Sequence, residues 1–167
     1  IGAAGTALGR DRHTAAAEAI MTTDRGPKEA SVQVETPGGP FTIGGMVKGA
    51  GMIEPNMATM LGFLTTDANM DPVPLRRALS EAADDTFNAI TVDGECSTND
   101  AVFLLASGPS GVRIDGTSYQ PFVDGLRQIC GTLAREIVRG GEGATKLVAV
   151  HVTGGQSTTE AKRAARA

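Results

Sequence analysis

The chain has 167 residues, 41% of them apolar and 20% charged, with a net charge of −4 and a pI of about 5.1. This is the make-up of one folded domain with a core of its own. The acidic balance speaks against nucleic acid as the main partner, because phosphate-binding surfaces are basic.

Two cysteines, Cys96 and Cys130, lie far apart and form neither a disulfide framework nor a metal-ligand spacing. No metal is therefore expected. The cysteine usage makes the reducing cytoplasm the expected location, and no apolar run reaches membrane-spanning length, so no membrane partner is expected. A start at Ile1 without a signal-peptide layout points to a processed or partial chain.

In chain order, Thr14 to Met21 reads as a short helix with Thr14 at its N-cap, and Thr22-Thr23-Asp24 as the polar turn that ends it. Ala30 to Glu35 alternates as a half-exposed strand. Pro37 to Pro40 is a turn, and Phe41 to Val47 is the return strand of a hairpin. Met60 to Thr66 is apolar enough for a buried strand. Asp71-Pro72 opens a helix whose apolar face is Leu75, Ala78, Leu79, Ala82, Ala83 and Phe87.

Ala89 to Val92 reads as a short strand, Asp93 to Asp100 as a polar loop that satisfies its own backbone, and Ala101 to Ala106 as a buried strand. Phe122, Leu126, Ile129, Cys130, Leu133 and Ile137 repeat at three- and four-residue steps, which predicts a long helix over 120–138. Gly140 to Gly143 stops it. Lys146 to Val152 alternates as a strand, which makes His151 half-buried, and Ser157 caps a last helix over 158–167. His13 falls at a helix entrance. The fold class is α/β, a mixed sheet covered by long helices.

One stretch has no structural reason for its combination of residues: Lys48-Gly49-Ala50-Gly51-Met52-Ile53-Glu54-Pro55-Asn56-Met57-Ala58-Thr59-Met60-Leu61. Glycines let a ligand approach the backbone. Lys48, at the end of an apolar strand, can hold a carboxylate. Thr59 needs a base to act as a nucleophile, and its own α-amine serves if the bond to Ala58 breaks. Glu142, in Gly140-Gly141-Glu142-Gly143, is either part of a helix stop or a grip for an ammonium group. It is not a phosphate cradle, since the Gly-Lys-Ser/Thr layout is missing. The basic end, Lys162 to Arg166, reads as a solvated helix face or frayed terminus.

Taken in order, several segments resemble the ornithine acetyltransferase family, the bifunctional glutamate N-acetyltransferases of arginine synthesis. They are Ala19-Ile20-Met21-Thr22-Thr23-Asp24 with Pro27-Lys28, Gly45 to Ile53, Pro55 to Leu61, Thr65 to Ala68, Thr91 to Gly94, Ser97 to Asp100 and Gly141 to Lys146. The resemblance implies a self-processing fold of the N-terminal-nucleophile type. It implies a cut between Ala58 and Thr59, so that residues 1–58 end an α piece and 59–167 begin a β piece. Thr59 is then the catalytic nucleophile, and Thr23, Lys48, Thr59 and Glu142 are the substrate-binding residues.

The implied reaction moves an acetyl group from N-acetylornithine to glutamate through an acetyl-threonine, releasing ornithine and N-acetylglutamate. No bound cofactor is implied, though some members take acetyl-CoA as donor. The α and β pieces are implied to pair into a heterotetramer. Family chains run more than twice this length: the Thr-Gly oxyanion pair lies upstream of these residues, and further substrate contacts lie downstream. Two other readings stand beside this one, a self-processed amidohydrolase or aminopeptidase and an inactive fragment of the transferase.

Overall fold

The computed structural model describes residues 2–54, 60–95 and 99–166. Two short helices, α1 (Gly2–Thr6) and α2 (His13–Ala19), precede strands β1 (Lys28–Val34), β2 (Phe41–Lys48) and β3 (Leu61–Thr66). Helix α3 (Pro72–Asp84), strand β4 (Ala101–Ala106), helix α4 (Tyr119–Arg139) and helix α5 (Thr158–Arg166) follow. The described strands form one sheet in the order β1-β2-β3-β4. β1 and β2 are an antiparallel hairpin, and β2 pairs antiparallel with β3, with Lys48 opposite Leu61. β3 and β4 are parallel, from Leu61 opposite Ala101 to Thr66 opposite Ala106. A parallel pair needs a crossover, and α3 lies within it.

The long helix is where the sequence spacing places it. Phe122, Leu126, Ile129, Cys130, Leu133 and Ile137 are all buried along one face of α4, against β1, β2 and α3. Each such aliphatic side chain contributes roughly 1.5–3 kcal/mol on burial. The helix sits close to the sheet at Gly125, where a Cβ would stand 2.6 Å from Val34 Cγ2. Phe41 and Phe122 meet with ring centroids 5.7 Å apart. Burial pushes the Cys130 thiol up to about 12. α3 starts with Asp71 at the N-cap and prolines in its first turn, and buries Ala78 and Ala82.

Among the described residues no helix lies over the sheet's other face at its β3–β4 side. Phe63 and Phe103 stack there at 5.5 Å, and Phe103 and Leu105 are exposed. α2 covers part of the hairpin side, where His13 Nδ1 lies 2.9 Å from Glu29 Oε2 and the Thr14 hydroxyl donates to Glu29 Oε1 at 2.9 Å. These bonds hold the Glu29 carboxyl below its usual range.

Several expectations from sequence are corrected. α2 begins at His13 with Arg12, not Thr14, at the N-cap, and the Thr14 hydroxyl is instead engaged by Glu29 of β1. Residues 89–92 form no strand. A 3₁₀ turn covers Phe87–Ala89, and Val92 meets Ile53 through a single backbone bond of 2.9 Å. Lys146 to Val152 is also not a strand. Its alternation is present, but no sheet edge among the described residues pairs with it, so Val148, Val150 and His151 are exposed. α1 carries no clear period and was not expected. Ser157 does cap α5, accepting the Glu160 N–H at 3.2 Å. Among the described residues no helix is long and apolar enough to cross a membrane.

Candidate functional site

Where β2 ends, the chain runs Lys48-Gly49-Ala50-Gly51-Met52 along the wall of a cleft of about 280 Å³. Thr22, Thr23, Asp93, Glu95 and Glu142 complete its lining. Three of the four residues singled out as substrate-binding, Thr23, Lys48 and Glu142, are thus brought together, although Glu142 lies more than 90 residues beyond the other two along the chain. Ala58 and Thr59 lie outside the described residues, between Glu54 and Met60.

The wall is held by two carboxylates. Asp24 has a side chain only 1% exposed and pairs with Lys28, itself 5% exposed. It also accepts the Gly49 N–H at 2.8 Å and the Thr22 N–H at 3.2 Å. Burial alone would raise this carboxyl. The Lys28 bond, the two backbone donors and the Lys28 charge outweigh it and hold the group below the ordinary carboxylate range. Asp24 therefore ties the Thr22-Thr23 turn to the segment after Lys48. Lys28 is the first residue of β1 and lies under the end of α4, where a Cβ on Gly140 would stand 3.2 Å from its Cε. A cation there also complements the helix C-terminus.

Asp93 holds the other end of the wall. It accepts the Met52 N–H at 2.6 Å, the Ile53 N–H at 3.1 Å and the Glu95 N–H at 3.2 Å. Met52 has φ 52°, the left-handed region that costs a side-chain-bearing residue roughly 1–2 kcal/mol. The two Asp93 bonds offset that cost and fix the turn. The Thr91 hydroxyl adds a bond to Ile53 O at 2.9 Å.

Glu142 arrives from the far end of α4. Its backbone N–H donates to Ala50 O at 2.7 Å, so the glycine-rich loop is pinned to the cleft wall. Its carboxylate lies over Gly51, where a Cβ would come within 3.2 Å of it. A side chain at 51 would push the acid aside, and this is the physical reason for a glycine there. Among the described residues the Glu142 carboxylate has no hydrogen-bond or ion-pair partner. Lys48 is 8% exposed and forms no ion pair among those residues, but its charge acts on Asp100. The cleft thus carries a nearly buried ammonium and an unpaired carboxylate, a complement to a small zwitterion. Among the described residues no group of His, Cys, Asp and Glu is placed to hold a metal ion.

Sequence reading missed the work of Asp24, Lys28 and Asp93. Asp24 reads locally as part of a helix-ending turn, yet its strongest bonds reach Lys28 and Gly49. Asp93 does bond locally, to Glu95, but also reaches back some forty residues. Nothing in linear spacing announces such contacts. The available signal was the oddity of an acid-lysine pair, Asp24 and Lys28, just ahead of a strand.

The family model for the ArgJ family matches residues 1–167. The chain belongs to the ArgJ family. It is 52% identical over its whole length to the arginine biosynthesis bifunctional protein ArgJ of Symbiobacterium thermophilum, covering 42% of that protein. It is 51% identical, over 90% of its length, to the protein of the same name from Shouchella clausii, covering 38% of it. The crystal structure of ArgJ from Bacillus halodurans superposes with a TM-score of 0.62 at 46% identity, over 65% of this chain and 52% of that one. The chain therefore spans about two fifths of the curated relatives it matches, and its mixed α/β architecture is that of a solved ArgJ family member.

Proposed function

We propose that this chain is the central part of a self-cleaving cytoplasmic acetyltransferase that moves an acetyl group from N-acetylornithine to glutamate. The observation that carries the reading is the cleft that joins Lys48, Glu142 and Thr23, with opposite charges facing one small volume. Lys48 takes the amino acid's carboxylate, Glu142 its ammonium group, and Thr23 a hydrogen bond at the rim. Membership of the ArgJ family supports the substrate class, since the relatives are named for arginine biosynthesis.

Thr59 is the proposed nucleophile. Its hydroxyl adds to the Ala58 carbonyl carbon, the C–N bond between the two residues breaks, and the ester formed is hydrolysed by water. Residues 1–58 then end one piece and 59–167 begin the other, with a free amine on Thr59 to take the hydroxyl proton. In the transfer, the Thr59 oxygen bonds to the acetyl carbon of N-acetylornithine and ornithine leaves as the amine. The amine of glutamate then takes the acetyl group, giving N-acetylglutamate and restoring the hydroxyl. Acetyl-CoA is a second donor for the first half. The oxyanion donors are supplied from upstream of these residues, and the two pieces associate as a heterotetramer.

The test is Thr59→Ala in a chain of the relatives' full length carrying these residues. The expected result is one uncut species by intact mass and no acetyl label from N-acetylornithine, where the wild type gives two pieces and a label on the second. Cleavage of the variant would overturn the reading. Running the wild type with and without glutamate separates transfer from hydrolysis, because a hydrolase releases acetate without a second amino acid.

A further inference from the structure

The amide directly after Thr59 is held by a side chain that the reading above does not use. Met60 N–H donates to Asp100 Oδ1 at 2.6 Å, and Ala101 N–H donates back to Met60 O at 3.1 Å. Met60 is buried, and Asp100 is half-buried at the entry to β4. The β3–β4 ladder starts immediately beyond, with Leu61 opposite Ala101. Asp100 thus clamps the first backbone donor upstream of a rigid parallel pair.

The same carboxylate feels the Lys48 ammonium, which lies opposite Leu61 on the other side of β3. Burial raises the Asp100 carboxyl, and the Met60 amide and Lys48 only partly offset that. A buried charge kept in such a place needs a partner. Here the Met60 amide is the hydrogen-bond partner, and the Lys48 charge acts from across β3 without forming an ion pair.

We propose that Asp100 is a positioning residue for the reaction at Thr59. It fixes the peptide that follows the nucleophile, and it shares the charge of Lys48 until a substrate carboxylate arrives. This rests on the function proposed above. The first role acts on turnover, because a small misplacement of a nucleophile is costly. The second acts on binding, because a Lys48 freed of its neighbouring anion attracts the substrate carboxylate more strongly.

Two substitutions separate the roles, measured as acetyl transfer from N-acetylornithine to glutamate in a chain of the relatives' full length. Asp100→Leu keeps the approximate shape and removes the acceptor. It is expected to lower kcat about tenfold or more and to slow self-cleavage. Asp100→Asn keeps a carbonyl oxygen for Met60 and removes the charge. It is expected to hold kcat near wild type and lower KM about threefold.

A merely structural role would lower the melting temperature without this split between kcat and KM. A folded Asp100→Leu variant with wild-type kcat overturns the clamp, and an unchanged KM in Asp100→Asn overturns the charge sharing. Where the leucine variant does not fold, the kcat of Asp100→Ala decides the clamp and the KM of the asparagine variant decides the charge sharing. If the wild type itself is uncut and unlabelled, the parent reading fails and Asp100's role falls with it. If the wild type is active and both variants match it, Asp100 alone is refuted.

Discussion

Asp24 and Asp93 do the same job at the two ends of one segment, and they do it in opposite surroundings. Both accept backbone N–H groups that fix the wall of the cleft, Gly49 for the first and Met52 and Ile53 for the second. Asp24 is buried and has a buried cation, Lys28, as partner. Asp93 is exposed and, among the described residues, has no cation within ion-pair distance. The inner anchor cannot exchange its bonds for water, whereas the outer one can. The Lys48 end of the wall is therefore the rigid end, and the Met52 end can adjust at modest cost.

The largest test of that contrast is Asp24→Ala. Removing one partner of a buried pair leaves the other charge uncompensated and costs roughly 3–5 kcal/mol. A large drop in melting temperature is expected, and Lys28→Ala should match it. A drop no larger than that of an exposed carboxylate would break the comparison.

The acid limb of stability comes next. The folded Asp24 carboxyl is depressed below its unfolded value, so its contribution is full above the unfolded carboxylate range and is lost as pH falls through the folded value. Denaturant titrations between neutral and acid pH should show this loss in the wild type and a flatter profile in Asp24→Asn.

Asp93→Ala should cost less, about 1 kcal/mol, because water takes over its bonds. Its larger effect is expected on substrate KM, through release of the strained Met52. Smallest in stability is Gly51→Ala, where the Glu142 carboxylate must move by a few tenths of an ångström. Its melting temperature should stay near wild type while the KM of the amine-bearing substrate rises several-fold. A thermal melt and a Michaelis–Menten titration of each variant check both.

The parts of the fold legible in the sequence were those governed by period. The spacing of Phe122, Leu126, Ile129, Leu133 and Ile137 alone placed α4, and the turn at Pro37 to Pro40 placed the hairpin. Alternation misled at Lys146 to Val152, because a strand needs a neighbour and a pattern does not supply one. Within the site, Lys48 and Glu142 stood out as charges set among glycines. Asp24, Asp93 and Asp100 did not, because each acts on an amide distant in sequence, and amides are invisible in a string of side chains. The residues brought to the cleft were therefore readable, whereas the carboxylates that hold its backbone required the fold.

The thiol of Cys130, sealed inside the long helix's buried face, gives the domain a built-in clock. A neutral alkylating reagent reaches that sulfur only when α4 lifts from the sheet, and while the thiol stays buried, raised to about 12, it is inert. In a Cys96→Ser background, the rate at which one label accumulates counts openings of the core. Run on Asp24→Ala and Asp93→Ala side by side, that single sulfur would register how each anchor of the distant cleft governs the opening of the whole domain.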